Sequence, residues 1–358
     1  MIQQLLLFLL GLAALIAGAE ALVRGASRLA LSLGISPLVV GLTIVAFGTS
    51  SPELAVSVGA AFDGRTDIAV GNVVGSNIFN VLFILGVSAL IAPLIVHTQL
   101  IRQEVPIMLG ASLVLLALGL DGRLQRIEAA FLFTLLIAYT VFLVWQSRKQ
   151  TQNAADDFEK NLKPLTRWER YPVMQLALVA VGLGLLVLGA GWLVDAAVAF
   201  AQSLGVSDLV IGLTIVAAGT SMPEVAASIA AAIKGERDIA VGNVVGSNTF
   251  NILGCLGLSG VVATDGLPIS APLLNFDVWI MIASALACLP IFLTDRRIAR
   301  WEGAIFVAYY VAYTAYLVLA AQQHDVLPAY SKVMLSFVIP LTIVTVIAVL
   351  LRAPGEQR

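Results

Sequence analysis

The 358-residue sequence predicts an all-α polytopic membrane protein of two inverted-topology five-helix repeats plus one extra C-terminal helix. Three observations predict it. The composition is 59% hydrophobic and 12% charged, roughly half the charge of an ordinary soluble domain. Apolar stretches follow one another with little between them, each long enough for a crossing of about 20 residues. A segment of the first half recurs in the second at a constant offset of 171 residues.

Breaking the apolar runs at charged and Gly/Pro-rich positions places eleven spans, near 3–23, 36–61, 68–92, 104–120, 125–146, 172–194, 208–233, 239–263, 276–294, 301–320 and 331–351. The first run has no basic residue before it and no cleavage motif after it, so it is expected to be retained as a span. Residues 147–171 are polar and charged but too short for a domain, and are expected to form a cytoplasmic linker between repeats at 1–146 and 172–320. Residues 321–358 hold the additional helix and a tail. Nothing in that helix separates packing on the core from dimerisation, and the oligomeric state stays open.

Orientation follows from the basic residues. With the N-terminus outside and the C-terminus cytoplasmic, 16 of the 20 Lys and Arg fall on the cytoplasmic side, and only Arg65, Arg123, Arg126 and Lys332 lie outside. Cytoplasmic flanks retain such residues. Without a transit peptide or lipidation signal, the compact chain is expected in a bacterial plasma membrane, the inner membrane. The formal net charge is −2, and no basic run is dense enough to follow a phosphate backbone, which excludes nucleic acid as a partner.

Residues 41–80 and 212–251 are identical at 29 of 40 positions. A duplication is the plain reading. Each unit has five spans, an odd number, so the second enters the membrane from the opposite side. Charge agrees: Arg24 closes the first span on the cytoplasmic side, whereas its counterpart Asp195 closes the sixth outside. Inverted repeats with Gly/Pro-interrupted spans at matched positions point to a secondary transporter whose site lies at the midplane.

Within the repeat, Glu53 and Glu224 sit deep in spans two and seven. Each ionised acid facing lipid would cost about 2.5–3.5 kcal/mol. Both must therefore face inward. Each follows a Gly-Thr-Ser-X-Pro run, Gly48–Pro52 or Gly219–Pro223. Proline lacks an amide proton and crowds the carbonyl four residues earlier, so the Gly48 and Gly219 carbonyls are expected to be free. In spans three and eight, Ser76 and Asn80, like Ser247 and Asn251, stand four apart on one helical face. This set supplies carboxylates, amides and hydroxyls, with no thiolate or imidazole. Oxygen-only ligation suits hard cations such as calcium, which takes six to eight oxygens. Two carboxylates neutralise one calcium or two sodium ions, which allows exchange without a large uncompensated charge.

Other polar residues receive structural readings. Asn72 and Asn243, with Asn77 and Asn248, are expected to pair helices. Asp63, Asp67, Glu236 and Asp238 are read as solvated loop charges, and His97 and His324 as lone loop histidines outside any metal-ligand spacing. Cys255 and Cys288 lie in apolar stretches and read as small hydrophobes. No HExxH run is present, so the chain is not expected to be an enzyme.

The runs GTSSPE and GNVVGSN, followed by GTSMPE and GNVVGSN, closely resemble the two alpha-repeats of the calcium:cation antiporter superfamily, in particular sodium/calcium exchangers of prokaryotic type. The resemblance covers spans two, three, seven and eight directly. It implies sodium/calcium exchange by alternating access, with spans one and six sliding against the others, calcium and sodium as transported ions and no permanently bound cofactor. It makes Glu53 and Glu224 the central calcium ligands, with Thr49 and Thr220 beside them on the metal. Ala46, Ser50, Ser76 and Asn80 then join Ala217, Ser221, Ser247 and Asn251 around calcium and sodium. Some members carry an acid where this chain has Asn251, which leaves the coupling ion and stoichiometry open. The alternative is a proton- or potassium-linked exchanger, and a passive cation channel or membrane-embedded enzyme ranks below. The short linker has no room for the regulatory calcium-binding domains that animal exchangers insert there.

Overall fold

The computed structural model describes residues 2–150, 171–203 and 217–340, with position 343. Nine of the eleven expected spans lie wholly among them. Span seven is described from Ala217 onward, and span eleven through Leu327–Val333 and Met334–Val338. Span five continues to Gln150, so the first expected linker residues are helical, and 151–170 lie outside the described residues.

Among the described residues, spans one and six are the longest helices, Ile2–Leu33 and Pro172–Ser203. They run antiparallel in close contact: a Cβ on Gly11 would stand 2.8 Å from the Gly189 carbonyl oxygen, one on Gly18 2.8 Å from that of Gly182, and one on Gly25 2.9 Å from that of Gln175. Spaced by seven, these glycines share one face of span one. Without side chains there, the two backbones touch, a common solution where lipid provides no hydrophobic drive for helix pairing.

Span two is broken. Ser36 caps its start, accepting from the Val39 amide at 3.3 Å, with Pro37 at the first helical position. Pro37–Thr49 and Ser51–Phe62 then meet at 47°. Pro52 explains the break, because its ring cannot continue the preceding helix. Span seven repeats the arrangement: Ala217–Gly219 stops before Met222–Lys234, with Pro223 at the restart.

Spans three and eight form the centre. Each is α-helical to a phenylalanine, opens into a π-helical segment at Asn80–Leu85 or Asn251–Leu256, and returns to α-helix to Ile91 or Val262. A π segment inserts a residue into the ladder, and such bulges gather at functional sites. Span eight is buried along its whole central stretch.

Two short antiparallel strand pairs join the repeats. Leu94–Ile95, between spans three and four, pairs with Arg297–Ile298, between spans nine and ten. Arg123–Leu124, between spans four and five, pairs with Leu267–Pro268, between spans eight and nine. Pairing requires both loops of a pair to share one face of the bundle. Counting spans, that is true only if the second repeat is inverted.

Candidate ion-binding site

Glu53 and Glu224 are completely buried, each in the first turn after its proline break. The repeats hold each other's acid. The Ser50 hydroxyl donates to Glu224 Oε1 at 2.7 Å, and the Ser221 hydroxyl donates to Glu53 Oε1, also at 2.7 Å. Ser221 also lies 3.2 Å from the Ser76 hydroxyl, tying span three to the same acid. The broken turns make this possible, because Ser50 and Ser221 sit in the non-helical step where a side chain can reach across.

The opposite oxygens are left open. Among the described residues, Glu53 Oε2, Glu224 Oε2, Asn80 Oδ1 and Ser247 Oγ are buried with no hydrogen-bond partner. An unengaged buried carboxylate oxygen costs more than a neutral one. These four oxygens, on spans two, three, seven and eight, are of the donor type that suits a hard cation. The sequence-predicted residues Ser50, Ser76, Asn80, Ser221, Ser247 and Asn251 are all buried, as are the two glutamates.

The threonines stand beside the acids, Thr220 within hydrogen-bonding reach of the Glu53 carboxylate and Thr49 of the Glu224 carboxylate, and each also meets an asparagine. Thr49 donates to Asn243 Oδ1 at 3.1 Å, and Thr220 lies 3.5 Å from Asn72 Oδ1. These asparagines brace the acid-bearing turns. Asn72 donates to the Glu53 carbonyl at 3.2 Å and to Ser57 at 3.0 Å, while Asn243 donates to the Glu224 carbonyl at 3.5 Å and to Ser228 at 2.9 Å. Through their hydroxyls, Thr49 and Thr220 fix the braces. The Ala46 carbonyl accepts from the Ser50 amide at 3.0 Å, within the helix. Ala217 opens the described part of span seven, and its side chain lies outside the described set.

One expectation is corrected. The Gly48 carbonyl is not free, because the Ser51 hydroxyl donates to it at 2.7 Å. A side chain replaces the amide that proline removed. The loop acids also divide. Asp63 is exposed and pairs with Arg65 at 2.9 Å, as a solvated charge should, but Glu236 and Asp238 are half-buried. Burial pushes the Glu236 carboxyl above its usual range.

Asn77 and Asn248 pair the two central helices. Each donates to the other's backbone carbonyl at 3.2 Å. Their own side-chain oxygens accept from Asn251 at 3.1 Å and Asn80 at 3.0 Å, respectively. Sequence reasoning missed one neighbour, Cys255, whose sulfur lies 3.6 Å from Asn251 Oδ1. A thiol within an apolar run carries no polar signal.

The family model described as sodium/calcium exchanger protein matches residues 3–145 and 174–319, the two five-span halves. The chain belongs to the sodium/calcium exchanger family. This exchanger-family chain is 39% identical over 311 residues to the putative antiporter CaxA of Alkalimonas amylolytica, covering 85% of this chain and 95% of that one. It is 35% identical over 343 residues to the sodium/calcium exchanger MaX1 of Methanosarcina acetivorans, covering 87% and 97%. Among solved structures, it superposes on the sodium-calcium exchanger NCX_Mj, soaked without sodium and calcium, with a TM-score of 0.75 and 32% identity, covering 88% of this chain and 98% of that one. The expected fold and family are therefore correct.

Proposed function

We infer that this family member is a secondary antiporter that exchanges calcium for sodium by alternating access, its ions held between Glu53 and Glu224. One observation carries the reading: each acid has one oxygen fixed by a serine of the opposite repeat and the other buried and unengaged. Two carboxylates balance one calcium or two sodium ions, so one pocket serves both in turn. Asn80 and Ser247 add neutral oxygens from spans three and eight. Thr49 and Thr220 join the two acids around the ion, each within reach of the opposite repeat's carboxylate, and also hold Asn243 and Asn72, which anchor the turns carrying the acids.

Spans one and six, packed backbone to backbone, are suited to move as one body across the site. The chain is assigned to a bacterial plasma membrane, and the distribution of its basic residues favours an N-terminus outside. The relatives named as exchangers and antiporters support the same activity. The test is calcium uptake into vesicles driven by a sodium gradient. Uptake should stop in the double variant E53Q/E224Q, and uptake that survives it overturns the assignment. A pH gradient in sodium-free medium should drive no calcium flux.

A further inference from the structure

The amide cluster between spans three and eight is two-fold symmetric in its nitrogens. Asn80 and Asn251 each give an amide N–H to the opposite repeat, at Asn248 Oδ1 and Asn77 Oδ1. That fixes both amides, because a flip would set oxygen against oxygen. Each carbonyl oxygen is thereby turned away from the cluster. In a symmetric pocket the two would be equally available to an ion.

They are not. Asn80 Oδ1 is buried without a partner among the described residues, whereas Asn251 Oδ1 faces the Cys255 sulfur at 3.6 Å. Cys255 is free and completely buried, four residues beyond Asn251 in the same π segment. Its counterpart, 171 residues earlier, is Ile84, also completely buried and without a donor. One residue therefore breaks the symmetry of the two amides, Asn80 and Asn251.

We propose that Cys255 is a specificity-determining residue of the ion site: its thiol donates to Asn251 Oδ1 and withdraws that oxygen from cation coordination, leaving Asn80 as the working amide. This rests on the assignment of the site between Glu53 and Glu224. The thiol proton takes one of the two lone-pair directions of that oxygen, so a cation must share the oxygen with it or displace it. Calcium, which gathers six to eight oxygens, loses most by the shared one. An S–H donor is weak, so the effect is graded rather than absolute.

Calcium titration calorimetry of the purified full chain in sodium-free buffer tests the proposal. C255A frees Asn251 and should tighten calcium binding by about two- to fivefold, the scale of one weak hydrogen bond. C255S keeps a donor and should bind as the wild type does. I84C installs the mirror cap on Asn80 and should weaken binding by a similar factor, whereas I84V, smaller but without a donor, should not. If C255A and C255S shift together, or I84C and I84V do, side-chain volume rather than the donor sets affinity and the proposal fails. A wild-type chain that binds no calcium would instead defeat the assignment of the site, and this inference with it.

Discussion

Ser221 and Glu53 meet at 2.7 Å across the boundary between the two repeats, although 168 residues separate them in the chain. The same bond joins Ser50 to Glu224. Each repeat braces the backbone of its own acid and supplies a side-chain donor to the carboxylate of the other's. This reciprocity couples the broken turns of spans two and seven, so that a shift in one turn is felt at both carboxylates.

Removing either donor should weaken calcium binding, and not equally. A hydrogen bond to a charged group contributes about 1.5–3 kcal/mol. S50A should therefore lower calcium affinity by about tenfold or more. S221A should cost more, because Ser221 also reaches Ser76 at 3.2 Å while Ser247 has no such partner. Calcium titrations of the two variants decide it; equal effects would show that the Ser76 contact adds nothing.

Withdrawal of the ion should destabilise the wild type selectively. At a hundredfold excess over its dissociation constant, a ligand stabilises the folded state by about 2.7 kcal/mol. Chelating calcium should lower the thermal midpoint of the wild-type chain in detergent. E53Q/E224Q has neutral amides at both positions and should show no shift with calcium or chelator. A calcium-dependent shift in that variant would locate binding elsewhere.

Much of this site was legible because the duplication supplies its own control: a polar residue that recurs 171 positions later, as Glu53 does at Glu224, stands out from an apolar background. The same logic singled out Ser76, Asn80 and their counterparts as candidates, and assigned Asn77 and Asn248 to helix pairing, which their reciprocal bonds match. What breaks the symmetry was not legible. Ser51, matched by Met222, closes the Gly48 carbonyl that proline arithmetic leaves open. Cys255, matched by Ile84, reads as a hydrophobe until its neighbour is known. The π segments escape periodicity analysis because one inserted residue shifts a helical face without changing composition.

The packing of spans one and six gives a sharp contrast between two neighbouring glycines. A Cβ on Gly182 would lie 2.6 Å from the Leu22 amide nitrogen, whereas one on Gly184 meets nothing within 4 Å. G182A must push the helices apart and should destabilise the chain by about 1–3 kcal/mol, the usual cost of overpacking. G184A should be neutral or slightly stabilising. Thermal midpoints compare the two, and transport should fall in G182A alone. Equal midpoints would mean that the pair is not held by backbone contact.

Spans four and five carry a buried acid apart from the candidate ion site, and its role can be separated from transport. Glu104 is completely buried, and both of its oxygens are engaged: Gln99 and Gln103 donate to Oε1 at 2.8 and 2.7 Å, and the Tyr139 hydroxyl donates to Oε2 at 2.6 Å. The second repeat retains the motif, with Tyr313 donating to Asp277 at 2.7 Å. Both acids close a five-residue π segment. A carboxylate so fully supplied with donors has little left for a cation, unlike Glu53 and Glu224, and is suited instead to pin span four to span five. Y139F should then lower stability by about 1–3 kcal/mol through the lost donor, with calcium affinity unchanged. Calcium titration beside thermal unfolding distinguishes the roles, because weakened calcium binding at an unaltered midpoint would put Glu104 in the path of the ion.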